Sequence, residues 1–285
     1  MSKYPGSFPK PEKAPERRSC YPKSLSAIDM LKLGREIFKR TTTVIDISQF
    51  DFENMTWCLV PQQAEFNIQS EPFGSGGFRQ TYMATSITRG FEDKTWVVKK
   101  YLRQTVENIK KANQTVSGHA KQSIQGHFLA RNFAKQLEEQ VKAEKLQFGK
   151  TFEYKKVFLG ETEKGEWVTV EEFVPGDCIK YINNNGDIVL TDSTLSKKAE
   201  ALVHYSYFKS NRKLMLTDIQ GAGYVLYDPE IATVDALDEQ GQLQFSTGNL
   251  ANNAIETFFA FHECNYFCRL LKLEKKGLAP PIKSS

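Results

Sequence analysis

The stretch MLTDIQGAGYVLYDPE, from Met215 to Glu230, most constrains how this chain can fold. Apolar runs flank Gly221 and Gly223, so two short strands, Lys213 to Ile219 and Tyr224 to Tyr227, are expected to return on one another through a tight turn. Strand alternation sends Asp218 and Gln220 to one face, and the turn brings Asp228 back beside them. Oxygen-bearing side chains then converge. Magnesium keeps several of its waters, so two protein ligands together with nucleotide phosphates suffice for it. A surface hairpin capped by its own aspartates is the bland alternative.

A chain of 285 residues that is 40% hydrophobic and 25% charged can bury one large core or two smaller ones. No apolar run approaches the roughly eighteen residues of a membrane helix, and MSKYPGSFPKPEK lacks the apolar centre of a signal peptide. No membrane association and a cytoplasmic location are therefore expected. The cysteines, Cys20, Cys58, Cys178, Cys264 and Cys268, are odd in number and sparse, which favours reduced or metal-bound thiols over a disulfide framework. Residues 1–40 carry a net +6 and the remainder −2, without the concentrated basic face of a nucleic-acid domain, so no specific nucleic-acid partner is expected.

Residues 1–23 hold Pro5, Pro9, Pro11, Pro15 and Pro22 among charges and are expected to be a disordered basic tail, as are residues 276–285 at the other end. From Leu25 to Thr41 the apolar spacing predicts an amphipathic bracing helix. Strands follow at Thr56 to Val60, Glu65 to Glu71, Arg79 to Ile87 and Thr95 to Leu102. One or two helices cover Arg103 to Gln147, broken near Ser117-Gly118. Strands return at Tyr154 to Glu161 and Glu166 to Val174, and YINNNGD reads as an exposed loop. A lobe boundary is expected near Pro175-Gly176, with helices at Leu195 to Ser210 and Asn252 to Leu271 beyond it.

FGSGGFRQTY, from Phe73 to Tyr82, sets Gly74, Gly76 and Gly77 between two strands, where backbone N–H groups can turn toward an anion with no Cβ in the way. Arg79 stands where a third glycine of G-x-G-x-x-G would be, and an ordinary hairpin turn is the alternative. In WVVKKYL the period of two sends Lys99 and Lys100 to opposite faces. An inward lysine needs an anion, and an ATP phosphate supplies one; otherwise both lysines reach water past the strand end.

Cys264 and Cys268 are four apart on a predicted helix, with His262 close by and His204 on the preceding helix. Two nitrogens and two sulfurs suit tetrahedral zinc, and four protein ligands leave no open position, which marks a structural site. On a straight helix His262 points away from Cys264, so the backbone must bend there. Cysteines as small buried hydrophobes are the alternative.

FGSGGFRQTY, WVVKKYL, VEEFVPGDCIKYINNNGD, the pair His204 and Asp218, DIQGAGYVLYDPEI, FSTGNLANNAIETFF and FHECNYFCRLLKL occur in the order of the alpha-kinase family, which this chain resembles over roughly residues 65–272. The resemblance implies an α+β, two-lobed, atypical protein-kinase-like fold. Its β-rich N-terminal lobe would span residues 24–174 and its zinc-stapled catalytic C-terminal lobe 175–275. It implies that Lys99 and Arg79 hold ATP phosphates under a cover formed by Gly74, Gly76, Gly77 and Phe78, with Glu171 and Val174 contacting adenine. Asp218 becomes the catalytic carboxylate alongside Lys99, Gln220 and Asp228 the magnesium ligands, and His204, His262, Cys264 and Cys268 the zinc ligands. The loop around Gly248 and Asn249 would receive the substrate, although GNLANNA carries fewer glycines than the family pattern. The implied activity is transfer of the ATP γ-phosphoryl group to Ser/Thr of proteins. A nucleotide-binding pseudokinase or a zinc-stabilised interaction module is the alternative.

Overall fold

The computed structural model describes residues 26, 42–51, 54–237, 241, 244–245 and 248–273. The expected tails and the bracing helix from Leu25 to Thr41 lie outside the described residues, apart from Ser26.

The strands of the first half are β1 (Thr43–Ser48), β2 (Phe50–Asp51), β3 (Thr56–Trp57), β4 (Gln62–Ile68), β5 (Gly74–Ser75), β6 (Arg79–Ser86) and β7 (Thr95–Tyr101). They are joined by β9 (Val157–Thr162) and β10 (Trp167–Glu172), with β8 (Glu153–Tyr154) lying between. The order β4-β1-β9-β10-β7-β6 is antiparallel throughout, and β6 pairs back onto β4, so the sheet closes on itself and β5 extends it beside β6. Closure removes the exposed edges that would otherwise invite a second chain. Ile45, Ile47, Phe66, Trp96, Val98, Val168 and Val170 form one core cluster, with Phe91 accepting the Trp96 indole N–H through its carbonyl at 2.7 Å. Each such side chain contributes about 1.5–3 kcal/mol by leaving water.

Strand β1 was not among the expected strands, although Val44, Ile45 and Ile47 carry the β-branched signal and Ile45 and Ile47 are fully buried. The strand expected at Thr56 to Val60 shrinks to β3, with Leu59 and Val60 exposed beyond it.

Two helices follow β7, α1 (Arg103–Lys111) and α2 (Val116–Ala143). The break between them falls at 112–115, and not at Ser117-Gly118, because Thr115 caps α2 with its hydroxyl, which accepts from the Gly118 N–H at 3.0 Å. Helix α2 belongs to two cores. Ala120 and Ile124 pack with Val157 and Leu159 beneath the sheet, whereas Ala130, Phe133, Leu137 and Val141 enter the core of the second half.

That second core gathers β11 (Ile179–Ile182), α3 (Thr194–Lys209), β12 (Leu214–Thr217), β13 (Ile219–Ala222), β14 (Val225–Tyr227), β15 (Glu230–Thr233), α4 (Ala251–Phe261) and α5 (Tyr266–Leu270). It also takes in Phe148, Phe152 and Tyr154, all ahead of Pro175. Ser193 and Ser196 close a reciprocal capping box at the start of α3. Strands run in the order β11-β13-β14-β8 in one sheet, while β12 pairs with β15 in another.

These pairings correct several expectations. Tyr181 and Ile182 are not in an exposed loop but buried in β11. Lys213 to Ile219 is not one strand: the chain leaves β12 at Asp218, whose φ is +54°, and continues as β13 in the other sheet. The helix expected over Asn252 to Leu271 is two, interrupted at 262–265. Among the described residues no helix is long and apolar enough to cross a membrane.

Candidate functional site

A cleft of about 340 Å³ opens where the closed sheet, α2 and the β12–β14 region meet. Gly76, Gly77, Phe78, Arg79, Lys99 and Glu171 line it from the first half, and Asp218, Gln220 and Asp228 from the second. The β13–β14 hairpin places the second group. Gly223 takes φ +58° in the turn, and a Cβ on Gly221 would lie 2.1 Å from the Val225 carbonyl oxygen. Gly221 therefore requires glycine, and Gly223 favours it by its left-handed backbone.

Lys99 faces the cleft and is buried, while Lys100 on the opposite face rests 5.4 Å from the Tyr82 ring centroid. The alternation read from the sequence holds. The Lys99 ammonium lies 2.9 and 3.0 Å from the two Glu171 oxygens and also ion-pairs with Asp228. Burial works most strongly against the charged lysine, but Asp228 and Glu171 together outweigh it and raise the pKa. At Asp228 burial pushes upward and the charge and hydrogen bond of Lys99 pull harder the other way, so the carboxyl lies below its usual range.

Asp218 and Gln220 meet by a route different from strand alternation, since Asp218 is the left-handed hinge between two sheets. Gln220 Nε2 nevertheless donates to Asp218 Oδ2 at 3.3 Å, and Lys180 Nζ lies 2.6 Å from Oδ1. Burial raises the Asp218 pKa, opposed by Lys180 and reinforced by Asp228.

Some expected contacts fall elsewhere. Gly74 sits outside the cleft lining, paired with Thr81, whose hydroxyl donates to its carbonyl at 2.8 Å. Val174 is likewise outside the lining. The Glu171 carboxylate, expected at adenine, is neutralised by Lys99 and accepts from the Thr169 hydroxyl at 3.3 Å. Asn249 is buried: its amide donates to Thr233 Oγ1 at 2.7 Å and its oxygen accepts from the Thr233 and Ala251 N–H groups at 3.1 and 2.9 Å. It pins the loop from within. Gly248 packs on Glu230, which lines the cleft.

Sequence reading missed Lys180, Asn184 and the α2 residues His119, Ser123 and His127, all of which line the cleft. Lys180 was detectable in principle, because it precedes the buried pair Tyr181 and Ile182 and stands opposite Gln220 in the β11–β13 register. The histidines carried no local signal.

A second cluster joins α3 to the segment after α4. His204, His262, Cys264 and Cys268 bring their ligand atoms within 4.8 Å of one another. Helix α4 ends at Phe261, His262 is extended at φ −70° and ψ 122°, and Asn265 starts α5 by accepting from the Phe267 and Cys268 N–H groups at 2.9 and 3.3 Å. Cys264 and Cys268 are thus not on one helix, and the break supplies the bend that His262 requires. Zinc bond lengths give a tetrahedron with edges of about 3.3 Å between nitrogens and about 3.6 Å between nitrogen and sulfur. Here His262 Nε2 to His204 Nδ1 is 3.3 Å, Cys268 Sγ to His262 Nε2 is 3.6 Å and Cys264 Sγ to His204 Nδ1 is 3.7 Å. His262 Nδ1 also meets the Glu200 carboxylate at 2.8 Å, which turns Nε2 inward as a bare ligand. Burial pushes the Cys268 thiol up to about 12, so the uncompensated pocket disfavours the thiolate that a cation would stabilise. The donor set and its spacing fit zinc.

A closed antiparallel sheet, a long shared helix and a second, smaller sheet define an α+β fold whose cleft sets cations against carboxylates. The alpha-kinase family model matches residues 74–268, and the chain belongs to that family. It is 37% identical over 108 residues to human "Transient receptor potential cation channel subfamily M member 6", a stretch covering 38% of this chain and 5% of the channel. It is 32% identical over 112 residues to the Caenorhabditis elegans "Eukaryotic elongation factor 2 kinase", covering 39% of this chain and 13% of that protein. The chain therefore spans only a small part of the curated relatives it matches. The fold resembles the alpha-kinase domain of myosin-II heavy chain kinase A, with a TM-score of 0.68 at 20% identity over 84% of this chain and 99% of the other. Further structures of that domain carry AMP-PNP or a phosphorylated aspartate. Family membership supports protein kinase activity in general.

Proposed function

We propose that this chain is an ATP-dependent protein serine/threonine kinase of the cytoplasm, with magnesium in its cleft and a structural zinc in its second half. The observation that carries the reading is the buried Lys99 held between Glu171 and Asp228, with Asp218 on the same cleft wall as Asp228. A buried ammonium so placed costs several kcal/mol in desolvation and persists only with its counter-charges. Such an arrangement suits a site that must hold a triphosphate.

Lys99 and Arg79 draw charge from the phosphates, and the glycine turn, closed by the Gly76 N–H on the Arg79 carbonyl, offers them the Gly77 backbone N–H. Gln220 and Asp228 supply oxygen ligands suited to magnesium, which when bound neutralises phosphate charge. The acceptor hydroxyl bonds to the γ-phosphorus, the bond to the leaving ADP oxygen breaks, and Asp218 takes the hydroxyl proton. Lys180 keeps the Asp218 carboxylate available despite its burial. The phosphorylated aspartate in a related structure favours a second route, in which Asp218 carries the phosphoryl group before passing it on. His204, His262, Cys264 and Cys268 would hold zinc in a closed site with no position for substrate.

Purified protein with labelled ATP, magnesium and a generic basic acceptor tests the reading. Transfer to Ser/Thr is expected, lost in Asp218→Ala with ATP affinity retained and lost in Lys99→Ala with affinity reduced. Undiminished transfer by Asp218→Ala overturns its role. Nucleotide binding without turnover by the unaltered chain makes it a non-transferring module.

A further inference from the structure

Arg79 is the phosphate-side cation with an unusual support. It opens β6 immediately after the glycine turn, and its carbonyl accepts from the Gly76 N–H at 2.9 Å. Among the described residues no carboxylate forms an ion pair with it, so its charge stays available to an incoming anion. A long guanidinium side chain left unsupported would lose rotamer entropy on being fixed by that anion. Its support comes from Tyr101, directly opposite in the β6–β7 register. The guanidinium carbon lies 4.5 Å from the Tyr101 ring centroid, and Arg79 Nη2 donates to the phenol oxygen at 2.7 Å.

Proton accounting extends this support one residue further. Arg79 has only donors, so the Tyr101 oxygen accepts from it and the phenol proton must go elsewhere. His119 Nδ1 lies 2.9 Å away. For His119 to accept there, Nδ1 must be bare and the ring neutral with its proton on Nε2. Burial, seconded by the Arg79 charge, lowers the His119 pKa to about 4, which agrees with that tautomer at neutral pH. The ring packs edge-on against Tyr101 at 5.5 Å, is buried, and itself lines the cleft. Helix α2 thus reaches the glycine turn through a chain of two hydrogen bonds.

We infer that His119 is a positioning residue for nucleotide binding: its bare Nδ1 takes the Tyr101 hydroxyl proton, which turns the phenol lone pairs to Arg79 and holds the guanidinium ready for phosphate. The inference rests on the nucleotide-binding reading above. It assigns to α2 a part in binding that the sequence did not reveal. Because His119 acts through Tyr101, its loss weakens nucleotide capture more than the chemical step.

The test uses the chain with magnesium and ATP, measuring calorimetric affinity for the nucleotide, KM for ATP and kcat in His119→Ala, His119→Asn, Tyr101→Phe and the double variant Tyr101→Phe with His119→Ala. Asn places an acceptor oxygen where Nδ1 stands and removes the Nε2–H, so rescue by Asn separates positioning through Tyr101 from direct contact by the far side of the ring. Tyr101→Phe keeps the ring beneath Arg79 and decides the matter alone if His119→Ala fails to fold, judged by its melting transition. Expected is an affinity loss of about tenfold in either single variant, matching the loss of a hydrogen bond to a charged group, with kcat within about threefold. The double variant should be no worse than the singles, and His119→Asn should recover to within about twofold of the unaltered chain. Unchanged affinity in Tyr101→Phe, additive losses, or a folded His119→Asn as weak as His119→Ala each overturns the inference. Absence of magnesium-nucleotide binding by the unaltered chain instead overturns the reading on which it rests.

Discussion

Replacing Glu200 by Gln tests the metal cluster at a residue that is not itself a ligand. Glu200 is buried on α3, and its carboxylate meets His262 Nδ1 at 2.8 Å. Gln keeps the shape but removes the charge that strengthens the imidazole as a donor and fixes its tautomer. Loss of such a carboxylate partner costs about ten- to a hundredfold in metal affinity. In excess zinc that weakening lowers folding stability by about 1.4–2.7 kcal/mol, because the metal stabilises only the state that binds it. For a domain of this size each kcal/mol moves the melting point by about 2–4 °C, so a fall of about 3–10 °C is expected. Zinc affinity is measured by competition with a colorimetric chelator, and melting points are recorded with and without the metal. The variant and the unaltered chain should melt together once zinc is stripped. An undiminished zinc affinity, or an equal melting difference in the stripped proteins, would refute the argument, since Glu200 would then act by packing alone.

Further outcomes follow from the cleft. Lys99→Met leaves the buried Glu171 carboxylate without its cation, while the exposed Asp228 is rehydrated, and urea titration should show a loss of about 3–5 kcal/mol from the buried pair; a loss under about 1 kcal/mol contradicts that pair. Lys180→Met removes the group that opposes burial at Asp218, so the acid limb of the pH–rate profile should move to higher pH. A limb that stays in place excludes Asp218 as the group titrating there. His119 has a folded-state pKa of about 4 against an ordinary 6.5, so the unfolded chain binds the extra proton between those values and the native state loses ground as pH falls through that window. At about 1.4 kcal/mol per unit, His119 accounts for roughly 2 kcal/mol between pH 6.5 and 5. His127, also lowered by burial, adds in the same direction. Denaturant unfolding of His119→Asn should show a pH slope shallower by that amount, and an identical slope removes His119 from the account.

What could be read from the chain and what could not divide along a physical line. Lys99 and its alternation with Lys100 and the Gly221–Gly223 return were legible because each depends on spacing within one or two elements, whereas the set of His204, His262, Cys264 and Cys268 came through the family resemblance. The Asp218 hinge was not: period-two reasoning assumes extended backbone, and a residue at φ +54° ends one sheet and begins another with no compositional mark. The Lys99–Glu171 and Lys99–Asp228 pairs span 72 and 129 residues, so which carboxylate answers the lysine is decided by tertiary packing. Asn249 was assigned to a substrate loop through the family resemblance, and the hydrogen bonds its amide makes around Thr233 were not legible because only the folded chain creates them. Strand β1 shows the opposite case, a β-branched signal present in TVIDIS and passed over. The break after α4 lay in between: the direction of His262 required it, but only the Asn265 cap fixes where the next helix begins.

Helix α2, 28 residues and about 42 Å long, is embedded at one end under the closed sheet and at the other in the second core. The two halves are therefore joined three times, by this rod, by the return from β8 to β9 and by the strand-to-strand crossing from β10 to β11. Any widening of the mouth must bend or twist all three links together, so stiffening any one of them is a means of slowing it.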